Sequence, residues 1–193
     1  MKPTLVLYAT RHGLARRVAQ RLAERLREDG ESPRLLDAAE VDPDTIDLVQ
    51  YRAAFLVSSV QIGKLQPEMV RFAKLHHHAL SRLPVLLFTV SMTAAGLARA
   101  DLPPDQRRKK LALAQRVIDG FARETGWTPQ KVERVAGALS YLEYGFFLRM
   151  VMRFISKQAG DPTDTSRNHE FTDWAALDRA AQEFLSAAPA VAA

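Results

Sequence analysis

Three runs of this chain, TLVLY at 4–8, AAFLVSS at 53–59 and PVLLFTV at 84–90, are apolar at nearly every position instead of alternating. A strand with one wet face alternates polar and apolar side chains, so these runs predict strands buried on both faces. Such strands occur where helices cover both sides of a parallel sheet, and that requirement dictates what must lie between them.

The intervening sequence meets it. From about Leu14 to Asp29, Leu14, Val18, Leu22 and Leu26 recur at every fourth position with Ala15, Ala19 and Ala23 beside them. The arginines take the other face, so this is an amphipathic helix, and Gly30 closes it. A weaker strand is expected at SPRLLDA (32–38), then an acidic loop over 39–50 that contains Pro43. A helix from about Gln66 to Leu80 carries Met69, Val70, Phe72 and Leu75. Pro103-Pro104-Asp105 starts another, which runs to about Thr125 and stops at Gly126. KVERVAGAL (131–139) reads as a fifth strand, and the last helix runs from Thr172-Asp173-Trp174 to about Ser186. Strands alternating with helices predict a single α/β domain over 1–193, built on a doubly wound, five-stranded parallel sheet. Right-handed crossovers leave few topologies, of which the flavodoxin-like order 2-1-3-4-5 suits five strands.

Composition restricts the chemistry. The 193 residues include no cysteine, which excludes disulfides, iron–sulfur ligation, Cys-based zinc sites and thiol nucleophiles. The apolar run in the N-terminal MKPTLVLYAT is too short for a signal-peptide core, and no stretch approaches the ~18 uninterrupted apolar residues of a spanning helix. A cytoplasmic protein is expected. The net charge of +5 gathers at 11–27, 107–110 and 149–157, which invites nucleic acid, anionic lipid or an acidic small molecule. Arg107-Arg108-Lys109-Lys110 has no aromatic interleaving, so no nucleic-acid partner is expected; the run reads as a solvated helix face, or as a propionate or lipid contact. His76-His77-His78 fan out around a helix end and cannot all face one ion, so no metal site is expected.

In open α/β sheets ligands sit at the carboxyl ends of the strands, which selects three loops. In the first, Thr10-Arg11-His12-Gly13-Leu14-Ala15, a glycine turn opens straight into a helix. That arrangement points backbone N–H groups and the positive helix end at one spot, with the Thr10 hydroxyl and the charges of Arg11 and Arg16 nearby. The pattern is neither G-x-G-x-x-G nor a P-loop. Taken alone, the loop reads equally well as an ordinary strand-to-helix turn. The second loop, Ser58-Ser59-Val60-Gln61-Ile62-Gly63-Lys64, and the third, Thr89-Val90-Ser91-Met92-Thr93, are rich in small polar groups and carry no aromatic ring.

Residues 140–171 are a basic, hydrophobic insertion before the last helix. Between 141 and 157 stand eleven large apolar residues, interrupted by Arg149, Arg153 and Lys157 at four-residue spacing, which form one stripe on a helix. A greasy helix with a cationic stripe is what an interfacial membrane helix needs. A lid on the domain, or a contact in a homo-oligomer, remains open as the alternative.

The first loop resembles the phosphate loop of flavodoxins, Ser/Thr-x-Thr-Gly-x-Thr, at Thr10 and Gly13, with His12 and Ala15 where threonines are usual. The later sequence is similar to the insertion of the quinone-dependent protoporphyrinogen IX dehydrogenases. The matching pieces are Gly137-Ala138-Leu139, Tyr141, Tyr144, Gly160, Thr163-Asp164-Thr165, Glu170 and Thr172-Asp173-Trp174. Ile62 and Leu65 stand where some relatives carry tyrosine. This resemblance implies non-covalent FMN, held by Thr10, Arg11, His12, Gly13, Leu14, Ala15, Ser58, Ser59, Val60, Gln61, Ile62, Gly63, Ser91, Met92 and Thr93. It further implies removal of six hydrogens from protoporphyrinogen IX in haem synthesis, and ubiquinone or menaquinone as acceptor. The expected location is peripheral, on the cytoplasmic side of the inner membrane. Arg149, Arg153 and Arg167 are candidates for propionate or lipid-headgroup contacts. The competing readings are a flavodoxin-like electron carrier and an FMN-dependent quinone reductase. Carriers tend to be acidic and to stack aromatics on their flavin, unlike this chain, and a reductase needs a nicotinamide site that is not evident.

Overall fold

The structure, a computed structural model, describes residues 2–98, 100–139, 169–170 and 172–187. Strands β1 (Thr4–Ala9), β3 (Ala53–Gln61) and β5 (Val85–Ser91) are buried along nearly their whole length, as their unbroken apolar character requires. With β2 (Pro33–Asp37) and β6 (Lys131–Ala136) they form a parallel sheet in the order β2-β1-β3-β5-β6. Counted among these five strands alone, that is 2-1-3-4-5. A two-residue strand, β4 (Lys64–Leu65), folds back antiparallel on the end of β3.

Alternate residues of each strand enter opposite layers. On one side Leu5, Leu7, Leu56 and Leu87 pack with Met69 and Phe72 of α2 (Pro67–Leu75) and with Ile118 and Phe121 of α5 (Pro104–Thr125). On the other, Val6, Phe55 and Phe88 meet Val18 and Leu22 of α1 (Leu14–Glu28) and Phe184 of α6 (Trp174–Ala187). Phe55 holds Phe88 edge-on at 5.7 Å. Arg21 donates to both carboxylate oxygens of Asp178 at 3.2 and 2.6 Å, tying α1 to α6; that carboxylate raises the already high pKa of the guanidinium.

Helix ends follow their local chemistry. At the end of α1, Gly30 adopts φ +81°, and Glu31 N–H and Gly30 N–H bond the carbonyls of Leu26 and Arg27. This pair of bonds satisfies two carbonyls that the helix leaves without partners. The expected helix over 66–80 breaks at His76, leaving α2 and a short α3 (His77–Leu80). His76 Nε2 lies 2.9 Å from Pro43 O, and His77 Nδ1 lies 2.9 Å from Lys74 O. His76 and His77 thus each meet a backbone carbonyl at this helix break. The expected strand over 131–139 also divides at Gly137, whose N–H makes the last bond to β5, at Ser91 O, at 2.9 Å. Beyond it, β7 (Ala138–Leu139) pairs antiparallel with β8 (His169–Glu170). The two feet of the insertion are therefore clamped together directly after β6. Arg149, Arg153, Lys157 and Arg167 lie outside the described residues. Among the described residues no helix is long and apolar enough to cross a membrane.

Candidate functional site

The carboxyl ends of β1, β3 and β5 converge on one cavity of about 430 Å³, a size suited to a small organic ligand. Thr10, Arg11, His12, Leu14 and Ala15 line it from the first loop. Ser59, Val60, Gln61 and Ile62 line it from the second, and Ser91 and Met92 from the third. Val90 of the third loop lines it too, as does Gly137, which sequence reasoning did not assign to the site.

The first loop is set by Gly13, which sits at φ +80° at the head of α1, where L-residues other than glycine are disfavoured. Its N–H donates to the Thr10 hydroxyl at 3.1 Å, closing the turn. Among the described residues no side chain caps α1, and its first turn holds no acidic residue. The opening amides of a helix have no intrahelical acceptors, so this end offers donors and positive potential to an anion. Arg11 and Arg16 are exposed beside it.

The second loop is a two-residue hairpin in which Gln61 pairs with Lys64. Ile62 and Gly63 between them have φ +48° and +72°. A tight hairpin of this kind needs positive φ at both central residues, which is why Asn-Gly is the usual choice. Ile62 is β-branched and 102% exposed, so it is strained and apolar in water at once. Sequence reasoning placed Ser58 and Gly63 in the site. The structure turns Ser58 away: it is fully buried, and its hydroxyl accepts from Gln66 N–H at 3.2 Å. Gly63 lines a different groove. Gln66, which no motif marks, also donates through Nε2 to the Ser59 hydroxyl at 2.9 Å. This buried side chain locks the end of β3 to the start of α2.

The third loop spans the end of β5 and the start of a helix, α4 (Met92–Ala98), whose third backbone N–H, at Ala94, bonds the Ser91 hydroxyl at 3.1 Å. Thr93 lies inside α4 and does not line the cavity. Gly137 closes the wall. A Cβ there would lie 2.9 Å from Ser91 C and 3.2 Å from Met92 N, so only glycine lets β6 approach the third loop.

Phosphate suits the uncapped helix end with its arginines. A planar ring suits a cavity walled by Val60, Val90, Met92 and Gly137, with the polar groups of Ser59, Gln61 and Ser91 among them. No Phe, Tyr or Trp is among the described residues that line it. Among the described residues no group of three or more His, Asp or Glu could hold a metal ion.

A family profile described as flavodoxin domain matches residues 5–166. The chain is 30% identical over 183 residues to "Protoporphyrinogen IX dehydrogenase [quinone]" of Leishmania major, covering 94% of this chain and 74% of that protein. It is 26% identical over 180 residues to the protein of the same name from Escherichia coli K12, covering 93% of each. A short-chain flavodoxin associated with a PDU bacterial microcompartment has a similar fold, with a TM-score of 0.52 at 12% identity, covering 98% of this chain and all of that one.

Proposed function

This chain belongs to the flavodoxin-domain family together with the quinone-dependent protoporphyrinogen IX dehydrogenases and is an oxidoreductase; from that premise we propose that it binds FMN and oxidises protoporphyrinogen IX to protoporphyrin IX, with a quinone as acceptor, in haem synthesis. The observation that carries the reading is the convergence of three strand-end loops on one cavity beside an uncapped helix start. The residues present fit the cofactor. The amides opening α1, Thr10, Arg11 and Arg16 would hold its phosphate. Val60, Val90 and Met92 would offer its ring apolar contacts, Ser59, Gln61 and Ser91 polar ones, and Ile62 would cover it.

Bound FMN supplies the two-electron redox chemistry, and the protein supplies placement and charge. Among the described residues no aromatic ring walls the cavity, an opening that favours a bulky organic substrate over a sealed carrier. The β7–β8 pair joins residues 138–139 to 169–170 directly after Gly137, which lines that opening. We place the protein peripherally on the cytoplasmic membrane surface, on the apolar and cationic pattern of 141–157. Each cation near an anionic surface contributes ~1 kcal/mol.

The decisive experiment is anaerobic. Purified protein with protoporphyrinogen and quinone should generate fluorescent protoporphyrin faster than autoxidation, and acid precipitation should release FMN. A requirement for oxygen, or for NAD(P)H in place of quinone, would reject the assignment. Flotation with anionic vesicles tests the location: replacing Arg149, Arg153 and Lys157 by Gln should weaken binding to anionic vesicles more than to neutral ones. Absence of vesicle binding by the intact protein would remove the membrane reading.

A further inference from the structure

A second and larger concavity lies outside the cavity at the strand ends. It is a groove of about 1200 Å³ between α2 and α5, reached past the β3–β4 hairpin. Its floor is apolar, built from Leu65, Val70, Leu75, Val117 and Phe121. Its walls are cationic: Arg71 and Lys74 stand on α2, Arg116 and Arg123 on α5, and Lys64 at the hairpin, against Asp44 and Glu124 among the described residues. Spacings of three and four residues put the α2 cations on one stripe, and Arg116 shares its face of α5 with Gly120. Among the described residues Lys64, Lys74 and Arg116 form no ion pair.

Gly120 is an independent sign. It sits in mid-helix, where glycine costs ~1 kcal/mol relative to alanine, and among the described residues a Cβ added there would meet nothing within 4 Å. The packing of the described residues does not call for a glycine at this position. Its missing side chain keeps the groove wide. The groove also adjoins the cavity described above, because Gln61 and Ile62 line one and Gly63 and Lys64 of the same hairpin line the other.

We propose that the α2–α5 groove binds an amphiphilic organic dianion, with its apolar ring body on the floor beside Gly120 and its carboxylates on the cations of the two walls. This rests on the reading of the chain as a porphyrinogen dehydrogenase, and makes the groove the holding site for the substrate's propionates. Charge on opposite walls over an apolar floor matches a wide ring with acidic arms; a flat lipid surface would not enter it.

The test is titration of the full-length protein with protoporphyrin IX, followed by fluorescence, with the uncharged dimethyl ester as a second probe. Lys74→Glu/Arg116→Glu should raise the protoporphyrin Kd about tenfold and leave the weaker ester binding unchanged. Gly120→Leu should raise Kd for both probes while the melting temperature holds or rises, which separates a blocked groove from a damaged fold. Arg34→Glu/Arg82→Glu, the same change of charge on exposed positions elsewhere, should bind as the parent does. In turnover the two groove variants should raise KM without loss of flavin. If both bind protoporphyrin like the parent, or the parent binds none, the groove is not the site, and porphyrinogen oxidation would stand or fall on its own assay. If the parent binds in this charge- and Gly120-dependent way yet oxidises no porphyrinogen, the groove stands and the proposed reaction fails.

Discussion

Ile62→Asn should make this protein more stable and a poorer flavin binder. Ile62 holds φ +48° at the first central position of a tight hairpin and is 102% exposed. Left-handed backbone costs an ordinary L-residue roughly 1–2 kcal/mol, and asparagine tolerates it best among residues other than glycine. Because the side chain is fully exposed, its replacement forfeits no burial within the protein. The gain is therefore about 1 kcal/mol, which for a chain of this length raises the melting temperature by about 2–4 °C. Residues kept in strained conformations at a site are retained for what they contact there, and removing the strain trades function for stability. FMN retention after gel filtration, and Kd from fluorescence quenching of added FMN, should show weaker binding than in the parent. Two results would refute the reasoning. A melting temperature of the apoprotein that stays level or falls would show that the hairpin is not strained at Ile62, and unchanged FMN affinity would show that Ile62 does not cover the ring.

Gly13→Ala and Gly30→Ala form a matched pair, since both glycines sit near φ +80° with open space for a Cβ, at opposite ends of α1. Each should cost about 1 kcal/mol in urea denaturation, but only Gly13→Ala should lose flavin; equal retention would count against the phosphate loop. Gly137→Ala must push the 91–92 backbone, and should cost about 1–3 kcal/mol together with flavin content, read by denaturation and absorbance. Gln66→Ala removes the donor to Ser59 and should lower stability by about 1 kcal/mol, with a measurable rise in FMN Kd. Burial, and then the hydrogen bond and charge of Asp37, raise the Tyr8 hydroxyl above its ordinary 10.0. Its stabilising effect is complete below about pH 10 and is lost as pH rises toward the folded value, so urea midpoints should fall above pH 10, and less so in Tyr8→Phe.

The sequence by itself determined the layered sheet. Unbroken apolar runs at 4–8, 53–59 and 84–90 can be satisfied only between two helical layers, and the fourfold spacing of Leu14, Val18, Leu22 and Leu26 supplies one of them. It also placed the three loops, because a parallel strand must end at the same edge of the sheet as its neighbours. Both signals are local periodicities that a single segment carries within itself. The tertiary structure decided which loop residues face the cavity. Ser58 and Ser59 are adjacent and chemically alike, yet packing of α2 buries one while the other lines the wall. The places of Gln66 and Gly137 at the site were not legible for the same reason. Their importance lies in contacts with residues 58–59 and 91–92, set by how helices and strands pack rather than by any spacing along the chain. The groove between α2 and α5 belongs to this second class: two unremarkable basic helices define it only when the sheet beneath holds them side by side.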